Sequence, residues 1–417
     1  MPIFLWGRPQ PAVDLGPPFR TAAATTLEYT REEQPLSFES FVDAVEITDL
    51  LTSLIRLDTS NPPGNEQPVA DRLESFFLNL GLEVERYQVA PGRSNLLVRW
   101  RGEGRAPALV FSGHFDVAPA RAADWRFPPF AGVTGEGRLF GRGTTDMKSG
   151  VAAIAGMLAA AARSRVRLPG DLVFAGTVGE EVDCAGALHF AASVSAENFS
   201  GLVIAEPTHL RVARCHKGAL WLRVETVGKA AHGSMIREGY NAIVSMQRVL
   251  ERILAMPLGG GVHPLLGEST LNIGTIQGGM KVNIVADSCE ATLDLRTLPG
   301  QSHLGLVSAI DGILRAMRRE DPRFSGKVEV VQDRQPVETD EDHGLVTNAL
   351  RAAAQEHAIG MTYFTDASVL ASAWRLPCVI LGPGDPRLAH QVDESVELAH
   401  VAEAGRIYCR LAEYAVA

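Results

Sequence analysis

Five residues spread along the chain have side chains that commonly bind metal ions: His114, Asp146, Glu181, Glu206 and His390. Two imidazoles and three carboxylates without a thiolate suit zinc, cobalt or manganese better than a cysteine-based structural zinc site. Three carboxylates (−3) against two divalent cations (+4) leave +1, which one hydroxide cancels, and one carboxylate can bridge two cations about 3.5–4 Å apart. We therefore expect two divalent metal ions, with zinc preferred over cobalt or manganese.

Two further carboxylates have the spacing of supporting groups. Asp116 follows His114 by two residues, so in an extended segment both side chains point the same way. That arrangement suits an acid that accepts the second imidazole N–H and fixes the tautomer. Glu180 and Glu181 are adjacent just after a strand, so one can bind metal while its neighbour takes a proton from the attacking water. The residues alone leave open which glutamate has which role.

The strands and helices that must position these groups alternate along the chain. Short β-branched runs precede Ala-rich helical runs, with strands at 108–112, 171–178 and 201–205 and helices at 147–163 and 185–193. This alternation predicts an α/β fold with a mainly parallel sheet covered by helices on both faces. His114, Glu180 and Glu206 follow the three strands, so we expect them at one sheet edge, where ligands bind in such folds.

A second pattern interrupts the first. Strands at 218–227, 270–277, 288–297 and 328–331, with helices at 239–254 and 303–318, give the order β-α-β-β-α-β of a ferredoxin-like α+β unit. The 417 residues are too many for one ordinary core. We expect a catalytic domain in two halves, 39–214 and 328–417, an inserted domain at 215–327, and an irregular N-terminal extension at 1–38.

Composition narrows the partners and the compartment. The net charge of −10 and the absence of a basic run argue against nucleic-acid binding, and no apolar run is long enough to span a membrane. The five cysteines are scattered and form no CxxC motif, which favours a reducing compartment over a disulfide scaffold. The N-terminal residues do not resemble a secretory signal. We therefore expect a cytoplasmic protein.

Four segments together resemble the M20 metallopeptidases: Gly113-His114-Phe115-Asp116-Val117-Ala118-Pro119, Gly141-Arg142-Gly143-Thr144-Thr145-Asp146-Met147-Lys148, Gly179-Glu180-Glu181 and Glu206-Pro207-Thr208. The resemblance runs in matching order from about residue 40 to 417. This family includes deacetylases, desuccinylases, aminoacylases and carboxypeptidases. It implies a zinc-exopeptidase-like α/β/α catalytic domain with an inserted lid and dimerisation domain.

The resemblance also implies a role for each residue of the metal site. It places His114 and Glu206 on one metal, Glu181 and His390 on the other, and Asp146 between them. It makes Glu180 the general acid/base and Asp116 the partner of His114, and it implies a cis peptide bond after Asp146.

Four residues outside the metal site match the family more loosely. The resemblance implies a homodimer in which His232 reaches the neighbouring subunit's site and polarises the scissile carbonyl. Asn283 and Arg296 would contact a substrate carboxylate, for which arginine offers a planar fork. Thr365 would line the substrate site. Arg296 has a simpler alternative, an ion pair with Asp294 or Glu290.

The function that these residues favour is hydrolysis of an N-acyl amino acid by a metal-activated water, with Glu180 as general acid/base. The Glu206-Pro207-Thr208 and His216-Lys217-Gly218 segments resemble the deacetylase and desuccinylase branch. An exopeptidase or dipeptidase would use the same chemistry on a short peptide, and a non-catalytic binding homologue is the rival from another class. At the second metal, His390 is preferred over nearby His400 because it follows a buried strand and its loop.

Overall fold

The computed structural model describes residues 37–164 and 166–415. The predicted N-terminal extension, residues 1–38, lies almost entirely outside these ranges. The described chain begins with a 3₁₀ helix at Phe38–Phe41. The first α-helix begins at Ala44, where Asp43 caps it through hydrogen bonds that its side chain accepts from the backbone N–H groups of Val45 and Glu46.

The α-helices of the described residues are numbered in chain order. They are α1 (Ala44–Ile55), α2 (Gln67–Asn79), α3 (Lys148–Arg163), α4 (Ala185–Ser193), α5 (Ala242–Leu254), α6 (His303–Glu320), α7 (Gly344–Ala352), α8 (Ala367–Trp374) and α9 (Leu398–Ala415). Further 3₁₀ turns lie at Ala122–Asp124, Ile236–Glu238 and Pro386–Leu388. Of these elements, α3 and the last 3₁₀ turn border the candidate metal site.

The strands follow the same numbering. They are β1 (Glu83–Ala90), β2 (Arg93–Trp100), β3 (Ala106–His114), β4 (Val133–Gly135), β5 (Arg138–Phe140), β6 (Gly170–Thr177), β7 (Phe199–Ile204), β8 (Ala213–His216), β9 (Gly218–Val227), β10 (Val262–His263), β11 (Gly267–Glu268), β12 (Thr270–Gly278), β13 (Ser288–Thr297), β14 (Ser325–Arg334), β15 (Val337–Glu338), β16 (Ile359–Met361), β17 (Cys378–Ile380) and β18 (Ser395–Glu397). They form one large sheet and three smaller ones.

The large sheet has the strand order β1-β2-β6-β3-β7-β17-β8-β15, with β16 also paired to β8. Its centre, β6-β3-β7-β17, is parallel, whereas β1, β2 and β15 pair antiparallel with their neighbours. The prediction of a mainly parallel sheet therefore holds for the centre and is wrong at the edges. The α/β fold class is confirmed, because helices cover both faces of this sheet.

Apolar side chains on the two faces of the sheet form separate cores. One core joins the sheet to α1, α2, α3, α7 and α9, and the other joins it to α4 and α8. Helix α3 approaches the end of β7 so closely that a Cβ atom on Gly150 would lie 2.1 Å from the carbonyl oxygen of Ala205. Glycine at this position therefore lets the loop before α3, which carries Asp146, reach the residue after Ala205, which is Glu206.

The second sheet has the antiparallel order β12-β13-β9-β14, and α5 and α6 pack on one of its faces. This is the strand order of a ferredoxin-like unit, as predicted. The first and last residues of this sheet along the chain do not coincide with 215 and 327, the predicted limits of the inserted domain. Strand β8 pairs within the large sheet up to His216, and β14 stays paired with β9 up to Arg334. The strand pairing thus assigns 218–334 to the second sheet, while the division into separate domains stays a prediction.

Two global features bear on the environment of the protein. Within residues 37–164 and 166–415, no helix combines the length and apolar character that crossing a bilayer requires. All five cysteines are buried and free.

Candidate metal centre and active-site cleft

Three parallel neighbours in the large sheet bring the first ligands together. Strand β3 ends at His114, β6 ends three residues before Glu180, and β7 ends two residues before Glu206. Because β3 lies between β6 and β7 and all three run parallel, their carboxyl ends meet at one edge. The structure therefore places these side chains where the alternation of strands and helices predicted them.

The first candidate metal group consists of His114, Asp146 and Glu206. The Nε2 atom of His114 lies 3.1 Å from Oδ1 of Asp146 and 3.5 Å from Oε1 of Glu206. His114 and Glu206 are buried, and Asp146 precedes α3 in a loop whose Asp146–Met147 peptide bond is cis. These three residues offer one nitrogen and two carboxylates to a cation.

The second candidate group consists of Asp146, Glu181 and His390. The Nε2 atom of His390 lies 3.2 Å from Oδ2 of Asp146 and 2.9 Å from Oε2 of Glu181. Asp146 therefore presents one oxygen to each group, which is the arrangement that a bridging carboxylate requires. His400, the alternative to His390, contacts Glu397 at 3.1 Å and does not belong to either group.

The site concentrates negative charge. Burial, reinforced by the nearby carboxylate of Asp146, raises the pKa of Glu206 to about 8 and also raises the pKa of Glu181. Burial opposes ionisation of Asp146 as well, but hydrogen bonds with His114 and His390 outweigh it and hold the pKa of Asp146 below its usual range. The same contacts with Asp146 and Glu181 raise the pKa of His390 to about 11. Buried carboxylates this close to one another need neighbouring positive charge.

The two groups fit a pair of divalent cations. In each group, one ligand atom per residue can be chosen so that all of them lie within 4.8 Å of one another. Nitrogen and oxygen donors match zinc, cobalt and manganese, and the shared aspartate matches two cations rather than one. The five residues that would hold the pair are those named from the sequence: His114, Asp146, Glu181, Glu206 and His390.

Asp116 supports the site through more contacts than predicted. Its carboxylate accepts hydrogen bonds from the backbone N–H groups of Gly179, Glu180 and Glu181 at 3.0, 3.2 and 3.1 Å. The Nδ1 atom of His114 is nearer to the main-chain oxygen of Asp116 (3.0 Å) than to its carboxylate (3.5 Å). The main geometric role of the Asp116 side chain is thus to fix the loop that carries the two glutamates.

The geometry separates the roles of the adjacent glutamates. Glu181 belongs to the second metal group, and its other oxygen accepts a hydrogen bond from the backbone N–H of Ala118 at 2.9 Å. Glu180 belongs to neither group but lines the same cleft, with its carboxylate 3.9 Å from Nε2 of His114. Burial raises the pKa of Glu180 well above its ordinary value. This position favours Glu180 for proton transfer and Glu181 for metal binding.

Three supporting residues were missed from the sequence. Arg142 and Glu394 form a buried ion pair at 2.6 Å, and Glu394 accepts hydrogen bonds from backbone N–H groups of the loop that contains Asp146. Asn61 donates its side-chain N–H to the carboxylate of Asp116 at 2.9 Å. The one available signal was that Arg142 lies within a segment already singled out, whereas Asn61 does not. Glu394 carried no signal of its own.

The metal groups open into a cleft of about 350 Å³, within the range of small-molecule sites. Its lining contains four of the five metal-site residues, Glu180, and a set of mainly apolar or aromatic side chains: Pro207, Trp221, Arg296, Tyr363, Phe364, Pro386 and Ala389. Trp221 and Arg296 come from the second sheet, whereas Tyr363 and Phe364 come from the segment before α8. The cleft therefore lies between the large sheet and the second sheet.

Of the four residues predicted outside the metal site, Arg296 lines this cleft and the other three do not. Arg296 also makes the ion pair weighed as its simpler role, at 3.0 Å from Asp294. Thr365 is fully buried, and its hydroxyl accepts a hydrogen bond from the backbone N–H of Ala367, so its predicted place on the substrate surface is wrong. His232 and Asn283 lie next to each other, where the backbone N–H of Gly233 donates to the main-chain oxygen of Asn283, and both are exposed and outside the cleft lining.

An α/β fold with an inserted α+β unit and a shared-aspartate metal site defines a metallohydrolase of the M20 type. Residues 110–414 match the sequence profile of peptidase family M20/M25/M40, and the chain belongs to this family. The predicted family membership is thereby confirmed, and the protein is a hydrolase.

Relatives of the chain cover almost its whole length. An acetylornithine deacetylase from Vibrio campbellii is 31% identical over 367 residues, covering 86% of this chain and 94% of the relative. An aminopeptidase, PepT, from Bacillus cereus has a similar fold, with a TM-score of 0.74 at 20% identity, covering 90% of this chain and 100% of that structure. A dinuclear metal-binding M20 peptidase from Bacillus subtilis superposes with a TM-score of 0.69 at 14% identity, covering 90% and 99%.

Proposed function

We propose that this protein is a two-metal amide hydrolase that removes the acyl group from N-acyl amino acids. The observation that carries the proposal is the position of Glu180, which faces the same small cleft as both metal groups but belongs to neither. Arg296 lines that cleft and provides a cation for a free carboxylate. A substrate with one amide and one carboxylate matches this pair of features.

The residues of the chain divide the work of hydrolysis. When bound, a pair of divalent cations lowers the pKa of water and polarises the scissile carbonyl. Arg296 binds the substrate carboxylate and so orients the amide toward the metal groups. Glu180 takes a proton from the attacking water and passes it to the nitrogen of the leaving amine. Asp116 keeps Glu180 in place by holding the backbone of its loop.

The active protein is proposed to be a homodimer that forms through the second sheet. Strand β12 is an edge strand of that sheet, and edge strands offer unpaired backbone groups to a partner. His232 and Asn283 lie together outside their own cleft, so they are available to the site of a second subunit. In that arrangement, His232 of the partner subunit stabilises the developing oxyanion. The buried free cysteines support a reducing, cytoplasmic location.

A second candidate is exopeptidase or dipeptidase activity. It is favoured by fold relatives that include an aminopeptidase and human carnosine dipeptidase. The same residues would act on a peptide bond, and only the group on the acyl side would differ. A non-catalytic binding homologue is less consistent with the chain, because Glu180 and all five metal-site residues are present.

The test combines metal removal with a substrate panel. The full-length protein is stripped with a chelator and assayed with N-acetyl amino acids and dipeptides before and after zinc, cobalt or manganese is restored. We expect activity to disappear with the metal and return with it, and to be higher on N-acetyl amino acids. Amidase activity that survives verified metal loss would contradict the proposal, and faster dipeptide cleavage would favour the second candidate.

A further inference from the structure

The cleft residues outside the metal groups have an unusual composition for a site that would bind a charged side chain. Its walls come from Pro207, Trp221, Tyr363, Phe364 and Pro386. The carboxylates that line the cleft in the described part of the chain are those of the metal groups and Glu180. A cationic substrate side chain directed away from the metals would therefore meet aromatic rings rather than an acid.

The nearest acid on the second sheet is already engaged. Asp294 is the cross-strand neighbour of Trp221 and accepts a hydrogen bond from its indole N–H at 2.9 Å. The other Asp294 oxygen accepts hydrogen bonds from Nε and Nη2 of Arg296, both at 3.1 Å. Asp294 thus holds Trp221 and Arg296 in place, and its charge is offset by the guanidinium. It has little remaining capacity to bind an ammonium group.

Arg296 and Phe364 connect the two sides of the cleft. The guanidinium carbon of Arg296 lies 5.8 Å from the centre of the Phe364 ring, within the range of a cation–π contact. Tyr363 is fixed on the same side by the hydrogen bond that its hydroxyl donates to the main-chain oxygen of Pro207 at 2.6 Å. The result is a rigid aromatic wall beside a fixed cation, which suits a carboxylate and an apolar group on adjacent atoms.

We infer that the cleft selects N-acyl amino acids with an apolar, preferably aromatic, side chain and rejects those with a cationic side chain such as ornithine. This inference rests on the function proposed above. The α-carboxylate binds Arg296, the amide faces the metal groups, and the side chain packs against Trp221 and Phe364. A cationic side chain loses hydration on entering this cleft without gaining an acidic partner. The inferred substrate preference thus differs from the substrate that gives the acetylornithine deacetylase relatives their name.

The first experiment compares kcat/KM of the zinc-reconstituted full-length protein for N-acetylphenylalanine, N-acetylleucine, N-acetylornithine and N-acetylglycine. We expect the phenylalanine substrate to exceed the ornithine substrate by about tenfold or more, since discrimination by apolar contacts is of this order. Equal or faster hydrolysis of N-acetylornithine would overturn the inference while leaving the amide hydrolase function intact.

A variant tests whether the aromatic wall is the cause. Phe364→Ala should lower kcat/KM for N-acetylphenylalanine about tenfold or more beyond any loss for N-acetylglycine, which has no side chain to pack. N-acetylglycine is therefore the internal control for folding and metal loading. An equal loss on both substrates would contradict the assignment of Phe364 to side-chain recognition.

Binding separates this inference from the proposed reaction. Calorimetric titration of the zinc-loaded Glu180→Gln variant with N-acetylphenylalanine and N-acetylornithine measures preference without turnover. Tighter binding of the phenylalanine compound supports the inferred side-chain preference. If the unmutated protein hydrolysed neither compound, that result would contradict the proposed function without contradicting this preference. Equal binding, tighter binding of the ornithine compound, or no binding of either compound would overturn the substrate preference.

Discussion

Glu394 and Arg142 form a buried ion pair that joins the two loops of the candidate metal centre. Arg142 donates to Glu394 at 2.6 Å and to the main-chain oxygen of His390 at 3.3 Å. Glu394 accepts hydrogen bonds from the backbone N–H groups of Thr145 at 2.7 Å and Asp146 at 3.0 Å. The pair thus sets the positions of Asp146, which the two candidate groups share, and of His390 in the second group, although neither member of the pair belongs to either group.

The first prediction concerns this pair. Glu394→Ala should lower the free energy of unfolding by about 3–5 kcal/mol, because it leaves the Arg142 charge buried without its partner. It should also weaken metal binding, since the loops of Asp146 and His390 lose their common anchor. Denaturant unfolding of the metal-free protein measures the first effect, and calorimetric zinc titration measures the second.

An exposed ion pair serves as the control for Glu394→Ala. Arg163 and Glu46 contact each other at 2.6 Å on the surface, between α3 and α1. Glu46→Ala should cost no more than about 1 kcal/mol, because solvent screens exposed pairs. If both alanine variants were destabilised equally, burial of the Arg142–Glu394 pair would not be the source of its effect.

The second prediction separates the two adjacent glutamates. Glu180→Gln should reduce kcat by about 10²–10⁴-fold, because the amide cannot accept the proton of the attacking water. Its zinc affinity should stay close to that of the unchanged protein, since Glu180 lies outside both metal groups. Glu181→Gln should instead weaken metal binding. The opposite pattern in kinetics and calorimetric titration would exchange the two roles.

The sequence predicts the parts of the site that follow regular elements. Strand β3 ends at His114 and β7 ends just before Glu206, and both strands show continuous apolar runs that can be read without a structure. Because parallel strands end at one edge of a sheet, the proximity of His114 and Glu206 follows from topology. His390 had a weaker signal, because the strand before it, β17, has only three residues.

The contacts that support the site could not be predicted from the sequence. Arg142 and Glu394 are 252 residues apart in sequence, and neither belongs to a periodic pattern. Strands β4, β5 and β18, which form the small sheet beside them, have three residues each, too few for alternation to be recognised. Such partners are set by tertiary packing. The same limit explains Thr365, whose motif match does not reveal that its side chain points into the protein.

The third prediction concerns the pH dependence of stability. His216 is buried at the end of β8, and burial lowers its pKa from 6.5 to about 4. Its Nδ1–H donates to the main-chain oxygen of Lys217 at 2.9 Å, and its Nε2 has no hydrogen-bond partner in the described ranges. The native protein therefore keeps this imidazole neutral at a pH where the unfolded chain already binds a proton.

Proton linkage determines whether the free energy of unfolding rises or falls with pH. Between pH 6.5 and about 4 the unfolded state holds more protons at this site, so His216 makes the free energy of unfolding fall as the pH falls. The whole contribution is on the order of 3 kcal/mol, and it is fully lost below the folded pKa. His216→Gln removes the titrating group, so the variant should show a shallower loss of stability across this interval. Urea unfolding at several pH values measures the difference, and parallel curves for the two proteins would refute the role of His216.

The last prediction addresses the proposed dimer. If His232 serves the site of the other subunit, each active site combines Glu180 of one subunit with His232 of the other. His232→Ala and Glu180→Gln then impair contributions from different subunits. Mixed dimers of the two variants then contain one site with both defects and one intact site. With random reassociation of equal amounts, half of the dimers are mixed, so activity should return to about a quarter of the unmutated level.

The control for this experiment is each variant refolded alone, which should stay nearly inactive because every site then carries a defect. Recovery must also depend on exchange of subunits, so it should appear only after dissociation and reassociation of the mixture. His232 lies beside Asn283 and away from its own cleft, which is the geometric reason to expect complementation. Full-length mixtures that remain inactive while size measurements show dimers would mean that His232 does not act across the interface.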